Sequence, residues 1–280
     1  MENEIELKLM LKEQAIPALL AWINQQNILT QSSETLGNCY YDTPTQFFAA
    51  QQMGFRVRQK NSEYEQTLKT KGEIVGGLHI RPEYNLPLSN EKPDFKGLVS
   101  HYSLNFEPKA VEQIQQNLIA TFSTDFHRTK WLIKYQQSQI EIALDQGLIK
   151  NQYGEENICE MEFELKSGEL KAILNLLTTL PNQDGVWFSS LSKAQRGYLV
   201  GRADKYQQEM ERNLAQHQGF QLEQELADYI RTVDAKGEIL ENFYIFEPSL
   251  KNKDHTDLID YLISNHYFQK TLKQIIALYA

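Results

Sequence analysis

Residues 159–166 read Cys159-Glu160-Met161-Glu162-Phe163-Glu164-Leu165-Lys166, with every second position charged and the others apolar. A β-strand sends successive side chains to opposite faces, so this stretch predicts a strand with one charged and one apolar face. The same parity recurs along the chain. Glu4, Glu6 and Lys8 oppose Ile5, Leu7 and Leu9, and Arg56 and Arg58 oppose Phe55 and Val57. Thr67, Lys69 and Lys71 oppose Leu68; Arg81 and Glu83 oppose Ile80. Arg128 and Lys130 oppose Thr129 and Trp131, and Glu141 and Asp145 oppose Ile142 and Leu144. Eight strands are expected, near 4–11, 37–43, 54–60, 63–71, 78–86, 122–137, 138–150 and 156–166. Short polar connections at Asn61–Ser62 and Gln136–Ser138 suit antiparallel hairpins.

On a single strand, a charged face is ordinarily a solvated one. Here seven of the eight strands carry it, with little Ser, Thr, Asn or Gln at the charged positions. The apolar faces also need cover, and amphipathic stretches are available. Residues 13–26 align Ala15, Ile16, Leu19, Leu20 and Ile23; 108–119 repeat at Val111, Ile114 and Leu118; 169–180 repeat at Leu170, Ile173, Leu174 and Leu177. Helices packed on the outside send the charged faces inward. The expected fold is α+β, a closed eight-stranded antiparallel β-barrel with a charged interior and helices outside. Period-2 segments stop near residue 200, so residues 1–200 form the barrel domain and 201–280 a helical C-terminal extension.

Composition narrows the class. The chain has 280 residues, with 28 Lys+Arg against 37 Asp+Glu, a net charge of -9. Hydrophobic residues at 41% and charged residues at 23% are ordinary for a globular protein. The acidic balance argues against nucleic acid and anionic membrane as partners. Two distant cysteines, Cys39 and Cys159, make neither a disulfide framework nor a zinc pair. The six histidines show no HxH or HExxH spacing. The acidic, alternating start MENEIELKLML is unlike a signal peptide, and no apolar run approaches the roughly 18 residues of a membrane span. A soluble cytoplasmic protein is expected.

A barrel lined by one sign of charge would be prohibitive, but both signs line this one. Carboxylates suit Mg²⁺ or Mn²⁺, which prefer oxygen ligands. Clustered Arg and Lys clamp phosphate oxygens. One cavity with both suits a metal-chelated polyphosphate.

Eight motifs then occur in order: Glu4-Ile5-Glu6-Leu7-Lys8, Tyr40-Tyr41-Asp42-Thr43-Pro44, Gly54-Phe55-Arg56-Val57-Arg58, Gln66-Thr67-Leu68-Lys69, Arg81-Pro82-Glu83, Glu141-Ile142-Ala143-Leu144-Asp145-Gln146-Gly147, Glu160 to Gly168, and Ser192-Lys193-Ala194-Gln195-Arg196-Gly197-Tyr198. Over about residues 1–200 this series resembles the CYTH superfamily, or triphosphate tunnel metalloenzymes, of the bacterial inorganic triphosphatase type. The resemblance implies a metal-dependent hydrolase that converts tripolyphosphate to pyrophosphate and phosphate, with Mg²⁺ or Mn²⁺ as cofactor. It implies metal ligands at Glu4, Glu6, Glu160 and Glu162, with Asp145 and Glu141 as further ligands or anchors. It implies a phosphate grip by Arg56, Arg58, Lys69, Arg81, Arg128, Lys193 and Arg196. Lys8 would lie near the attacking water or the terminal phosphate, and Glu4, Glu6 and Lys8 would form the catalytic core.

Alternatives on the same scaffold are a class IV adenylate cyclase, a thiamine triphosphatase or a nucleoside triphosphatase. A non-catalytic polyphosphate-binding module would keep the cations and lose acidic ligands, yet both acidic pairs stand intact. Lys71, Lys130 and Glu164 are expected at the rims, and Glu83 as a partner to a barrel arginine. Tyr40, Tyr41, Trp22, Trp131 and Trp187 are read as packing residues, His127 as outward-facing, and Gly72, Gly76 and Gly77 as an ordinary hairpin loop. Residues 201–280 hold too few histidines for the CHAD domain of longer relatives. They are expected to pack on the barrel or on a second copy in a homodimer, with a stabilising role.

Overall fold

The computed structural model describes residues 3–279. Its strands are β1 (Asn3–Leu11), β2 (Ile28–Asp42), β3 (Gly54–Lys60), β4 (Glu63–Lys69), β5 (Glu73–Val75), β6 (Leu78–Leu88), β7 (Ile119–Tyr135), β8 (Ser138–Asn151), β9 (Gly154–Ser167) and β10 (Val186–Phe188). Eight of them run in the order β1-β9-β8-β7-β2-β3-β4-β6, and β6 pairs back onto β1, closing an antiparallel barrel. The short β5 and β10 add to the ends of β6 and β1. Register puts Glu4 opposite Arg81, Lys8 opposite Glu162 and Arg128 opposite Asp145, so opposite charges face each other across the ladders.

The apolar parity faces outward and forms the core. Leu7, Leu9, Ile140, Ile142, Met161 and Phe163 are fully buried. They pack beneath α1 (Ile16–Ile23), then, past α2 (Phe47–Ala50), α3 (Phe95–Tyr102) and α4 (Pro108–Gln116), beneath α5 (Leu170–Leu177). Burying each such side chain contributes about 1.5–3 kcal/mol. A second apolar cluster, centred on Phe48, Phe55, Leu68 and Phe95, sits under α2, α3 and α4.

The interior is not charged throughout. Near the start of β7 and the end of β8, inward positions turn apolar at Phe122, Phe126 and Ile149. Leu36, Tyr40 and Ile158 join them, and α6 (Lys193–Leu199) docks there through Ala194 and Tyr198. Gly197 makes this docking possible, because a Cβ there would lie 2.1 Å from the Phe122 ring.

The remaining helices are α7 (Ala203–Gln216), α8 (Gly219–Thr232), α9 (Glu238–Phe246), α10 (His255–Leu262) and α11 (Asn265–Tyr279). Helices α7 to α10 share a core around Leu226, Ile230, Phe243 and Leu262. Helix α11 joins both layers: Tyr267 lies in that core, while Phe268 stacks on Phe188 at 4.9 Å between ring centroids and Leu272 and Ile275 enter the barrel's apolar cluster. No helix among the described residues is long and apolar enough to cross a membrane.

Several boundaries differ from the sequence expectation. Strand β2 starts at Ile28 rather than near 37, because its first half is an exposed ribbon held by pairing with β7 and has no alternation to read. Strands β5 and β10 have three residues each, too short for a periodic signal. Helix α3 was not anticipated; its start is fixed locally, where Asp94 Oδ1 accepts a hydrogen bond from the Gly97 amide at 2.8 Å.

Candidate active site

The charged faces converge on one cavity of about 1620 Å³. Strands β1 to β9 all contribute to its wall, and residues of α2, α6, α7 and α8 also line it. The C-terminal helices thus border the cavity as well as covering the barrel.

Lys193 is the hub of the first group. Its ammonium lies 2.6 Å from Asp145 Oδ2 and 2.7 Å from Glu162 Oε1, and it also contacts Glu160. Arg128 forks onto Asp145 at 2.7 and 2.6 Å and reaches Glu162 at 2.6 Å. Burial opposes charge on Lys193, but Asp145, Glu160 and Glu162 outweigh it and hold its pKa above the ordinary lysine value. Burial likewise opposes the Glu162 carboxylate, yet Lys193 and Arg128 keep its pKa well below the usual range.

Local structure aims Lys193 inward. Ser192 and Gln195 form a capping box at the start of α6. Arg196 donates to Glu156 and Glu160 at 2.7 Å each and to the Asn157 carbonyl at 2.8 Å. Its donors therefore clamp α6 to β9. Asn151 bonds the Gly197 and Val200 carbonyls at 3.0 Å, and the Tyr198 hydroxyl donates to Asp42 at 2.8 Å.

The second group surrounds Glu4. Lys69 lies 2.6 Å from Glu4 and 2.8 Å from Glu83, and Arg81 approaches Glu4 at 3.7 Å. Glu83 is thus chiefly the partner of a lysine rather than of an arginine. Burial, reinforced by Glu6 and Glu83 against the pull of Lys69, pushes the Glu4 carboxyl up to about 8. Glu6, 7% exposed, lies between the groups: its charge raises Glu4 and supports Arg128.

The third group is cationic. Lys8 is 1% exposed, and its Nζ has no hydrogen-bond partner among the described residues. Burial pulls its pKa down to about 8, against the opposing field of Glu160. Arg58 donates from Nε to Asn38 at 2.9 Å. Burial, then repulsion from Arg56 and Arg128, lowers it to about 10. Arg56 Nε is buried and without a hydrogen-bond acceptor among the described residues. Buried donors without acceptors are costly, so Lys8 Nζ and Arg56 Nε are suited to an anionic ligand in the cavity.

The five carboxylates expected to bind metal do not gather at one point. Asp145, Glu160 and Glu162 offer oxygens within 4.8 Å of one another, but Lys193 sits among them. Glu4 stands apart with Lys69 and Glu83, and Glu6 bridges the two groups electrostatically. The all-oxygen donor chemistry fits a hard divalent cation. Of these carboxylates, the trio is occupied by Lys193, and Glu4 is paired with Lys69 and approached by Arg81.

At the far rim, Lys130 faces Glu141 at 3.6 Å, and Lys166 lies 2.6 Å from Glu164. Lys71 also lines the cavity. Tyr40 stacks on Phe122 at 4.4 Å between ring centroids, as a packing residue should, yet it also lines the cavity and supports the charge on Arg56. Asn38 and Asn85 were not singled out from sequence, and Thr67 was noted only for its place on the charged face of its strand. Thr67 donates to Asn85 at 2.7 Å beside Arg56 on the neighbouring strand. The signal was present, since each shares the inward parity of its strand.

The CYTH domain family model matches residues 2–198. An inorganic triphosphatase of Haemophilus influenzae is 46% identical over 203 residues, covering 72% of this chain and 56% of that protein. The chain therefore spans little more than half the length of that curated relative. Among solved structures, a candidate adenylyl cyclase from Hippeastrum, described as having a dominant triphosphatase activity, matches with a TM-score of 0.48 and 18% identity, over 72% of this chain and 96% of its own. A candidate adenylate cyclase from Bacillus halodurans matches with a TM-score of 0.43 and 20% identity, over 64% and 90%.

Proposed function

The chain belongs to the CYTH domain family, and on that premise we propose that it hydrolyses inorganic triphosphate to pyrophosphate and phosphate. The observation that carries this reading is the division of charge inside one barrel. Buried cationic donors with no acceptor among the described residues (Lys8 Nζ and Arg56 Nε) line the same cavity as Glu6 and as Glu4, whose carboxyl burial drives up despite its pairing with Lys69. A polyanion chelated to a cation completes both. The identity with a relative named an inorganic triphosphatase supports the same substrate.

Mg²⁺ or Mn²⁺, held by Glu4 and Glu6, would supply Lewis-acid polarisation of a phosphoryl oxygen and neutralise its charge. Arg56 and Arg58 hold the terminal phosphoryl oxygens. Lys8 donates to the same group, where charge shifts during transfer. Lys69 and Arg81 bind the remaining phosphates beside Glu4 and Glu83. Arg128, Lys193 and Arg196 keep the carboxylate wall of Asp145, Glu160 and Glu162 in place. Water attacks the terminal phosphorus in line, and pyrophosphate leaves. Catalysis is then positioning and electrostatics, with no serine or cysteine nucleophile. Residues 1–200 are taken as the catalytic unit and 201–280 as its extension.

The test is phosphate release from tripolyphosphate, ATP, thiamine triphosphate and pyrophosphate, each with Mg²⁺ and with Mn²⁺. Tripolyphosphate should lead in kcat/KM by about tenfold or more. Equal rates on ATP, or no release from tripolyphosphate, would overturn the assignment.

A further inference from the structure

We propose that Asp228, in the C-terminal helix α8, is a positioning residue for the cavity, fixing Ser190 and thereby the Lys193 ammonium. This rests on the functional reading of Lys193 given above.

Asp228 is 4% exposed. Its Oδ2 accepts two hydrogen bonds from one residue, Ser190, from the amide at 2.8 Å and from the hydroxyl at 2.6 Å. Its Oδ1 accepts from Arg231 at 3.1 Å. Arg231 is anchored in turn by the Leu262 carbonyl, at 3.2 and 3.1 Å, and lies over the Trp187 ring. The carboxylate therefore has a fixed orientation before it meets Ser190.

Ser190 stands just before the capping-box residue Ser192, and Lys193 follows directly. Two bonds to one residue restrain both its backbone and its side chain, so they set the entry angle of α6. Lys193 has little slack, because its ammonium touches three wall carboxylates at once. A shift of about 1 Å at such a group is enough to lower activity about a hundredfold. The sequence alone suggested only a stabilising role for these helices. The Asp228–Ser190 contact instead ties them to the geometry of the barrel interior.

The test uses the full chain with Asp228→Ala, Asp228→Asn and Ser190→Ala. Tyr261→Phe, which removes a 2.8 Å bond to Glu247 within the helical extension, is the control. The first readout is amide hydrogen exchange over residues 190–199. The second is calorimetric titration with tripolyphosphate in chelator, where turnover does not run, including Lys193→Ala and the double variant.

Asp228→Ala should speed exchange at 190–199 by about tenfold or more. It should weaken tripolyphosphate binding about tenfold, yet less than about twofold further once Lys193 is alanine. Asp228→Asn and Ser190→Ala should fall between it and wild type, and Tyr261→Phe should change neither readout. Unchanged exchange at 190–199, or losses that multiply in full in the double variant, would overturn the proposal. If Asp228→Ala does not fold, the other two variants decide by the same criteria. If wild type binds no tripolyphosphate in chelator, the exchange measurement alone decides the role of Asp228, and the metal-supplemented phosphate-release assay decides the functional reading.

Discussion

Lys193 reaches Asp145 at 2.6 Å as the ammonium at the centre of a carboxylate trio, delivered by a helix that packs on the apolar end of the barrel. Replacing it leaves three buried carboxylates short of positive charge. Lys193→Met should destabilise the protein by about 3–5 kcal/mol in chelator, since losing one partner of a buried ionic group leaves the others uncompensated. Mn²⁺ should then raise the melting temperature of the variant more than that of wild type, because the trio becomes free to bind it. Thermal melts with EDTA and with Mn²⁺ check both points. Wild-type stability in EDTA would remove Lys193 as the counter-ion.

The Glu4 carboxyl gives a pH signature. Its pKa in the fold is pushed up to about 8 from an ordinary 4.5, chiefly by burial. Between those values the folded chain holds a proton that the unfolded chain has released. The stability from this group is therefore complete below the ordinary value and is lost as pH rises toward 8. Metal-free protein should become less stable between pH 6 and 8, and Glu4→Gln should flatten that slope. Denaturant titrations in chelator at both pH values measure it, and an equal slope in the variant would rule Glu4 out as its source.

Lys8 and Arg58 should divide binding from the fold. Among the described residues neither has a carboxylate within hydrogen-bonding range, so removing it breaks no direct ion pair. Lys8→Met and Arg58→Ala should hold their melting temperatures and raise KM for tripolyphosphate by about 10- to 100-fold, the size of a charge-assisted hydrogen bond. A fall in kcat alone, with KM unchanged, would place these residues in transition-state stabilisation only.

The barrel was legible because parity is a local signal. Glu162 and Phe163 sit side by side in sequence and part to opposite faces, and that pattern repeats on strand after strand. Which charges pair was not legible. Lys193 lies outside the strands, and nothing in its neighbours shows that it reaches Asp145 rather than a ligand. The apolar end of the interior was also missed. Phe122 and Phe126 share the parity of Arg128, but aromatic residues on a charged face read as noise until α6 is seen lying on them. The link from Asp228 to Ser190 joins residues that no short-range pattern connects.

Gly197 tests how far the site depends on that docking. A Cβ at this position would sit 2.1 Å from Phe122 Cε2 and 2.2 Å from Cδ2, far inside contact distance. The Phe122 ring cannot easily yield, because it is stacked on Tyr40 and edge-on to Tyr198. Helix α6 must then lift from the barrel, carrying Lys193 and Arg196 with it. Gly197→Ala should keep the barrel, whose main apolar cluster lies elsewhere, while costing about 1–3 kcal/mol of stability as overpacking does. It should lower kcat/KM more than Lys193→Ala alone, because Arg196 loses its place on Glu160 in the same movement. Circular dichroism separates the two effects: an intact β signature with lost activity supports the docking argument, and wild-type activity would show that α6 tolerates the shift.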